Sequence, residues 1–267
     1  MIWIIYDDER LALNNAFAQM LKAQCESCGF GAKILLKQQV AQQKELPKVA
    51  IMRIVDNALS KQLEKKGVRV VNNSDVSKIC NDKFATLQFA KSFGVEIMPS
   101  KLIAKEDICG IDFSKSYVLK SLDGHGGLQV FMVKNVADAK IAFDKIAQKQ
   151  VLLQDVASDL GKDARTYVLG GKIICTMLRT STKDFRSNFC LGGQAQQIEL
   201  PTNIANQVIT MAKAMDADFV GVDYIYNNDK MIFNEIEDVV GCRMLYAKTN
   251  FDMAKMFVDY IVCKYLN

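Results

Sequence analysis

The carboxylates of segment 219–241 are the residues of this sequence whose types and spacing best suit metal chemistry. Two runs of β-branched and aromatic residues, Phe219–Tyr226 and Met231–Ile236, flank a polar Asn-Asn-Asp sequence, which predicts a β-hairpin. Glu235 and Glu237 are two residues apart, so a strand points both of them to one face. A three-residue loop would place Asp223 opposite Glu235 on that face, whereas a two-residue loop would place it on the other face.

Three carboxylates on a half-buried sheet repel one another, and each is costly to remove from water. A hard divalent cation relieves both effects, and ligation by oxygen atoms suits magnesium that carries nucleotide phosphates. The hairpin therefore predicts a magnesium site formed by Asp223, Glu235 and Glu237. In the alternative interpretation, Asp223 faces solvent and Glu235–Asp238 is an acidic strand end without a ligand.

A glycine-rich link, Ser121–Gly127, joins two predicted strands, Tyr117–Lys120 and Leu128–Val133. Glycine allows backbone N–H groups to approach phosphate oxygens, and Lys120 would add a point charge at the strand end. The link matches neither a Walker loop nor the G-x-G-x-x-G pattern, so it is either a phosphate-binding loop or a plain hairpin. Upstream, Lys83 lies in the first turn of a predicted helix, where the helix dipole disfavours a cation. It is either a surface lysine or a ligand of a nearby anion.

Three arginines, Arg165, Arg179 and Arg186, lie near predicted strand ends or in a glycine-containing loop. Their forked guanidinium groups suit bidentate binding of phosphate or carboxylate, although any one of them alone is an ordinary surface residue. The apolar strand Val151–Leu153 ends in a polar Gln-Asp pair. That pair either holds the edge of a base or marks where the chain leaves the core.

The chain has 267 residues, enough for two modest domains or for one large and one small domain. Half of the residues are hydrophobic and 24% are charged, as in ordinary soluble globular proteins. A net charge of +4 is too small to indicate nucleic-acid binding. The N-terminal apolar run is too short for a signal peptide, no run reaches the length of a membrane span, and most cysteines lie in apolar segments. We therefore expect a cytoplasmic protein without membrane or nucleic-acid partners.

The single histidine, His125, restricts the chemistry further. A single histidine between glycines argues against three classes of enzyme: hydrolases with a Ser-His-Asp triad, zinc hydrolases with several histidines, and histidine-based phosphotransferases. Any reaction must use carboxylates, lysines, arginines, backbone groups or a metal. Cys25 and Cys28 form a lone C-x-x-C pair, which we interpret as structural rather than as a redox or zinc site.

Residues 1–75 alternate predicted strands and helices, which is typical of a small open parallel α/β unit. This region has no dinucleotide fingerprint and is assigned no cofactor. The polar segment Asn72–Lys78 is predicted to be a turn-rich domain boundary, followed by a helix that Asn81 or Asp82 caps. Two further predicted helices, Asn203–Met215 and Phe251–Tyr265, flank the acidic hairpin.

In their order along the chain, these motifs resemble the ATP-grasp superfamily, and most closely its RimK-type glutamate ligases. The resemblance covers roughly residues 72–245. The matching segments are Asn81-Asp82-Lys83, Tyr117-Val118-Leu119-Lys120 before the glycine loop, Gln154-Asp155, Gly161-x-Asp163-x-Arg165, Phe185-Arg186-Ser187-Asn188 with Gly192-Gly193, Gly221-Val222-Asp223 and Glu235-Ile236-Glu237.

The resemblance implies an ATP-grasp fold, of α/β and α+β class. An α/β pre-domain would occupy residues 1–76, and two α+β subdomains, 77–155 and 156–267, would clamp the nucleotide between them. The residues implied to bind the nucleotide are Lys83, Lys120, Gly124, Gly126, Gly127, Gln154, Asp155, Val156, Asp163, Arg179 and Ser187. Those implied to act in catalysis are Arg165, Arg186 and Asn188, and those implied to hold metal are Asp223, Glu235 and Glu237.

The same resemblance implies an activity. ATP would activate a carboxylate as an acylphosphate, which an amine attacks to give an amide, ADP and phosphate. The implied cofactors are ATP and two Mg²⁺ ions, which Mn²⁺ could replace. The substrates would be an amino acid, a peptide or a protein terminus, and a homo-oligomer is allowed. Phosphoryl transfer needs positioning and charge neutralisation more than acid–base side chains, which suits a site without a histidine triad.

Two other functions fit the same motifs. One is a carboxylate kinase or another ligase of this superfamily that acts on small molecules only. The other is a nucleotide-binding regulatory module that retains the site without turnover. Phosphate release in the presence of an acid and an amine distinguishes a ligase from a regulatory module.

The sequence departs from the RimK-type pattern after the second strand of the hairpin. Glu237 stands where the family usually has Asn, which adds a negative charge and should tighten metal binding or alter the metal preference. The usual Ser-Pro-Gly is replaced by Asp238-Val239-Val240-Gly241, close to the expected substrate site, so the substrate does not follow from the resemblance. Arg243 either holds a substrate carboxylate or pairs with Asp238.

Overall fold

The structure, a computed structural model, describes residues 1–124, 126–187 and 193–267. The first four strands are β1 (Ile2–Tyr6), β2 (Ala32–Leu36), β3 (Val49–Met52) and β4 (Arg69–Val71). They form a parallel sheet in the order β2-β1-β3-β4, with helices α1 (Asp8–Ser27) and α2 (Asn57–Lys65) in the connections. Every residue of β1 and β3 is buried, as expected for inner strands of a parallel sheet. The predicted open parallel α/β unit is confirmed.

The segment predicted to be a turn-rich boundary contains a helix instead. Helix α3 (Ser74–Cys80) begins where the Asn73 side chain accepts a hydrogen bond from the Val76 N–H at 2.9 Å. Helix α4 (Lys83–Ser92) follows, capped in the same way by Asp82. Asn, Ser and Asp favour both turns and helix N-termini, so the polar composition concealed a short helix.

A second sheet is antiparallel and lies in the middle of the chain. Its strands are β5 (Ser100–Ala104), β6 (Tyr117–Lys120), β7 (Val130–Val133) and β8 (Gln150–Asp155), in the order β5-β8-β6-β7. Helix α5 (Val136–Ile146) packs on it, and Leu119, Phe143 and Leu153 belong to a hydrophobic core confined to this part of the chain.

A third, five-stranded sheet follows. Its strands are β9 (Lys162–Leu169), β10 (Lys172–Thr180), β11 (Gln194–Ile198), β12 (Phe219–Asn227) and β13 (Lys230–Glu237), in the order β11-β10-β9-β12-β13. The helices of this part are α6 (Thr202–Ala214), α7 (Arg243–Lys248) and α8 (Met253–Tyr265). Gly170 and Gly171 both have positive φ and form the tight turn predicted between β9 and β10. In the described part of the chain, no helix is long and apolar enough to cross a membrane.

Two hydrophobic cores connect the third sheet to other parts of the chain. In one, Tyr167 and Phe219 pack with the N-terminal sheet and with α8. In the other, Leu87 of α4 packs with Phe233 of β13. The domain limits at 76/77 and 155/156 stay a prediction, and these cores group α3 and α4 with the third sheet rather than with the second.

Candidate active site

The acidic hairpin turns at two residues, not three. Asn228 and Asp229 have φ values of 50° and 60°, and Asn227 pairs with Lys230. Such a turn alone would place Asp223 on the opposite face from Glu235. A β-bulge takes in Asn234 as an extra residue and restores Asp223 to the position opposite Glu235. Of the two loop lengths that the sequence allowed, the two-residue loop is observed, yet Asp223 pairs with Glu235 as expected for the three-residue loop.

Asp223 lies between two arginines of neighbouring strands. Arg165, its partner in β9, donates to both carboxylate oxygens at 2.8 and 2.7 Å. Arg179 of β10 donates to Asp223 Oδ2 at 2.9 Å and to both oxygens of Asp163 at 2.6 Å. Burial opposes ionisation of Asp223, but the two arginines hold its pKa at about 2. Asp223 is thus a fixed anion whose charge the sheet itself compensates.

Glu235 and Glu237 have weaker compensation. Glu235 Oε2 lies 3.3 Å from Lys83 Nζ; burial opposes its ionisation, but Lys83 lowers its pKa overall. Glu237 Oε2 lies 2.5 Å from Arg165 Nη1, yet it is a buried oxygen without a hydrogen-bonding partner among the described residues. Burial raises the pKa of Glu237. Within residues 1–124, 126–187 and 193–267, no three side chains of the metal-binding types are grouped closely enough to hold an ion by themselves.

Two lysines reach this hairpin from the preceding sheet and helix. Lys120, at the end of β6, is buried and donates to Asn234 Oδ1 at 2.9 Å. Burial lowers its pKa to about 8. Lys83, the first residue of α4, donates to the Gly124 carbonyl and faces Glu235. Asn234 did not enter the predicted site, because strict alternation along the strand places it on the opposite face from Glu235 and Glu237.

The glycine loop lies against the loop that follows β10. Gly126 and Gly127 have φ values of 68° and 76°, a conformation that favours glycine. Arg186 Nη1 donates to the Gly127 carbonyl at 2.6 Å, while Nε and Nη2 hold Asp184 at 3.0 and 2.6 Å. This arginine therefore connects the two loops across the cavity.

The end of β8 forms another wall. Gln154 is buried and donates to Ser100 Oγ at 3.0 Å, and Asp155 pairs with Lys115 at 2.7 Å. One cavity brings together all of the predicted site residues that the structure describes, namely Lys83, Lys120, Gly124, Gly126, Gly127, Gln154, Asp155, Val156, Asp163, Arg165, Arg179, Arg186, Ser187, Asp223, Glu235 and Glu237. Asn188, Gly192 and His125 lie outside the described residues.

A cleft between two sheets, lined by lysines, a glycine loop and carboxylates, is the arrangement that the sequence motifs implied. The family model of the RimK-like ATP-grasp domain matches residues 80–261. The chain belongs to the RimK-like ATP-grasp family. This confirms the predicted resemblance, the ATP-grasp fold and the predicted class of activity, ATP-dependent ligation of a carboxylate to an amine.

Individual relatives agree with this RimK-like assignment. The chain is 30% identical over 212 residues to a probable alpha-L-glutamate ligase of Maridesulfovibrio salexigens, covering 76% of this chain and 70% of that protein. It is 25% identical over 216 residues to the glutamate–LysW ligase ArgX of Sulfolobus acidocaldarius, covering 76% of each. The crystal structure of D-alanine–D-alanine ligase from Bacillus anthracis complexed with ATP superposes with a TM-score of 0.78 over 99% of this chain and 97% of that chain, at 13% identity.

In the segment that departs from the RimK-type pattern, Asp238 and Val240 are buried, and side chains from elsewhere hold Asp238. Asp238 accepts hydrogen bonds from Asn72 Nδ2 at 2.6 Å and from Asn81 Nδ2 at 3.3 Å. Arg243 is exposed at the start of α7 and forms no ion pair with Asp238. That predicted pairing was wrong, because the two asparagines occupy the carboxylate. Binding of a substrate carboxylate by Arg243 stays a prediction.

Proposed function

We propose that this RimK-like protein activates a carboxylate with ATP and Mg²⁺ as an acylphosphate and transfers the acyl group to an amine. The observation that carries the proposal is that one cavity holds lysines and carboxylates together, with Lys83 Nζ 3.3 Å from Glu235 Oε2 and Lys120 donating to Asn234 beside it. Opposite charges on facing walls suit a triphosphate and its counter-ion.

The cationic side chains would bind the phosphates. Lys83 and Lys120 come from different elements but point to one hairpin, so both can contact a triphosphate that lies along it. The N–H groups of the glycine loop would cover the phosphates, and Arg186, Ser187 and Asn188 would contact the terminal phosphate. Asp163 would lie near the ribose, and Gln154, Asp155 and Val156 would meet the adenine.

Magnesium fits the acidic hairpin by the chemistry of its donors. Glu235 and Glu237 offer carboxylate oxygens on one face, and Glu237 Oε2, ion-paired with Arg165, accepts no aligned hydrogen bond from the described residues. Asp223 already accepts from two arginines, so it would contribute charge and one oxygen beside them. Phosphate oxygens would complete the ligand set, and two ions, with Mn²⁺ as a substitute, belong to this proposal. A bound ion supplies charge neutralisation of the phosphate oxygens.

The reaction itself needs little acid–base chemistry from the protein. A carboxylate oxygen of the acyl donor attacks the γ-phosphorus of ATP, and the bond to ADP breaks. The amine then attacks the acyl carbon, phosphate leaves, and the amine loses a proton. Arg165 and Arg186 would stabilise charge on the transferred group, since both carry forked donors beside the hairpin or the glycine loop.

The substrates belong to the proposal as well. The names of the relatives contain glutamate ligation, so an amino acid such as glutamate is the first candidate for one partner, with a peptide, protein terminus or metabolite as the other. The thiols of the described residues are free, which suits the proposed cytoplasmic location.

A phosphate-release assay tests the proposal. The protein is incubated with MgATP and a matrix of carboxylates and amines, with Glu235→Gln as the variant that lacks one facing carboxylate. We expect release to rise only when one acid and one amine are both present, and hydroxylamine in place of the amine to trap a hydroxamate. Tight ATP binding without turnover across the whole matrix would favour the regulatory module instead.

A further inference from the structure

A buried arginine of the N-terminal sheet forms no direct ion pair among the described residues. Arg53 follows β3 and is 7% exposed. Its Nη2 donates to the Val240 carbonyl at 2.9 Å, whereas Nε is buried without a hydrogen-bonding partner in the described part of the chain. No carboxylate of the described residues lies within 4.0 Å of its guanidinium group. Its charge is only partly compensated, by the Phe17 ring at 5.4 Å and by the more distant Asp238 carboxylate, so an anion that hydrogen-bonds to it directly would stabilise it.

A second unpaired group lies beside Arg53. Tyr6 ends β1, and its buried hydroxyl has no hydrogen-bonding partner among the described residues. Burial raises the pKa of Tyr6 and the Arg53 guanidinium lowers it, which places the two side chains next to each other. Both lie at the carboxyl ends of adjacent strands in the order β2-β1-β3-β4. From β1 the chain passes to β2 on one side of β1 and then to β3 on its other side. Open α/β sheets bind ligands where the strand order reverses in this way.

Arg53 also lies near the acidic hairpin, although it is not among the residues that line the cavity. Its partner Val240 is three residues beyond Glu237, and the Val240 side chain packs against Gly221, as does that of Arg165. Burial raises the pKa of the Cys242 thiol to about 11, while Arg53 and Arg165 lower it and Glu237 raises it. The thiol therefore lies near both arginines and near Glu237. The Asp238 carboxylate, which Asn72 and Asn81 hold by hydrogen bonds, compensates the charge of Arg53 only at a distance, since the two side chains form no ion pair.

From this geometry, and resting on the proposed ligase function, we propose that Arg53 binds the non-reacting carboxylate of the amino acid that supplies the amine. The amine nitrogen must reach an acyl carbon at the cavity, and the carboxylate of the same amino acid then lies within a few bonds of it. A guanidinium fork matches a carboxylate in shape and charge. The Tyr6 hydroxyl is the group that orients the fork from behind.

The test compares amino acids with their α-amides, which keep the amine and lose the charge. The probes are the amino acids of the turnover matrix and their α-amides, with KM measured for each. We expect the wild-type protein to prefer the acid by about 10- to 100-fold in KM, as a charged hydrogen-bonded pair predicts. Arg53→Met keeps the packing of the aliphatic part of the side chain. It should lose the preference for the acid, while the KM for ATP stays within about twofold of the wild-type value.

Two further variants, Tyr6→Phe and Lys33→Met, test the proposed carboxylate site independently of Arg53→Met. Tyr6→Phe removes only an unpaired hydroxyl, so it should fold normally and lower the acid preference by about twofold to fivefold. Lys33→Met, an exposed lysine of β2 in the same sheet, removes an equal charge and should leave the preference unchanged. An acid preference in Arg53→Met equal to that of wild type overturns the inference. If that variant fails to fold, an unchanged preference in both Tyr6→Phe and Arg53→Lys has the same meaning.

Calorimetry separates this inference from the proposed function. Binding of each amino acid and its α-amide is measured with a non-hydrolysable ATP analogue and Mg²⁺ present. Acid binding that depends on Arg53, without turnover in the matrix, would support the carboxylate site and contradict the ligase. Turnover with no dependence on Arg53 would support the ligase and contradict the carboxylate site.

Discussion

The two sheets that border the cavity are held in place by different kinds of contact. The third sheet shares hydrophobic cores with the N-terminal sheet, with α8 and with α4. The second sheet has a core of its own and contributes one residue, Leu152 of β8, to the core that α4 shares with the third sheet. Across the cavity the two sheets also meet through polar side chains, with Lys120 on Asn234 and Arg186 on the Gly127 carbonyl. Extensive apolar packing thus fixes one wall, while the other is held mainly by groups that would also contact the nucleotide.

The two walls also differ in where their charged side chains find partners. On the third sheet, Asp223, Arg165, Arg179 and Asp163 compensate one another within three adjacent strands. Lys120 of the second sheet finds its partner, Asn234, only across the cavity, and Lys83 of α4 lies between Glu235 and the Gly124 carbonyl. We therefore expect the third sheet to be organised before ligand binds, and the polar contacts of the lysines to be replaced by phosphate oxygens.

Removal of Asp223 should have the largest effect on the third sheet. Asp223→Ala leaves Arg165 and Arg179 buried without one of their anions, and we expect the free energy of unfolding to fall by about 3–5 kcal/mol. Turnover should fall by about 100- to 1000-fold. Urea unfolding and phosphate release measure the two effects.

Glu235→Gln is the matched variant for that experiment. Its carboxylate lies 3.3 Å from Lys83 of α4 and is less buried than that of Asp223, so its loss should cost about 1–2 kcal/mol while turnover falls to a similar extent. Equal losses of stability in the two variants would contradict the difference between the walls.

Lys120→Met addresses the second sheet. The ammonium group would bind phosphate, so we expect the Kd for an ATP analogue to rise by about 10- to 100-fold. The stability of the free protein should not fall, because the buried charge is costly without ligand. Lys101→Met, an exposed lysine of β5 in the same sheet, serves as the control and should change the Kd by less than about twofold. A Kd equal to wild type in Lys120→Met would remove this lysine from the phosphate site.

The pKa of Lys120 predicts opposite pH dependences for binding and stability. Burial lowers this pKa to about 8 in the free protein, from 10.5 for the unperturbed side chain. Above pH 8 the ammonium is lost, so affinity for the ATP analogue should fall by up to about tenfold per pH unit. Between pH 8 and 10.5 the unfolded chain binds more protons at this site, so its contribution to stability rises with pH. Lys120→Met should flatten both profiles, and a wild-type Kd that is constant from pH 7 to 10 would contradict the assignment.

Glu237→Asn should have the smallest effect. It removes one negative charge from the hairpin while Arg165 keeps its fork on Asp223. We expect activity to persist and the Mg²⁺ concentration for half-maximal activity to rise by about threefold to tenfold. Glu199→Gln, at an exposed position after β11, controls for the charge change. An unchanged Mg²⁺ titration would show that Glu237 is not a ligand.

Local patterns in the sequence determined much of this protein. The period of two in a strand placed Glu235 and Glu237 on one face, and the run 117–120 coincides with β6. The ordered motifs were sufficient to identify the family and most residues of the cavity. These features depend on residues that are neighbours in sequence, or on residue types that occur at fixed spacing in a family motif. They can therefore be predicted from the sequence alone.

Other features depended on tertiary structure. In a regular hairpin, the two-residue turn at Asn228 and Asp229 would place Asp223 on the opposite face from Glu235. Only the observed pairing of β12 with β13 revealed the bulge that returns Asp223 to the same face. The partners of Asp223 come from β9 and β10, and Arg53 reaches Val240 from 187 residues away. Strand register and long-range packing decide which charges meet in the interior, because spacing along the chain constrains only groups of the same element.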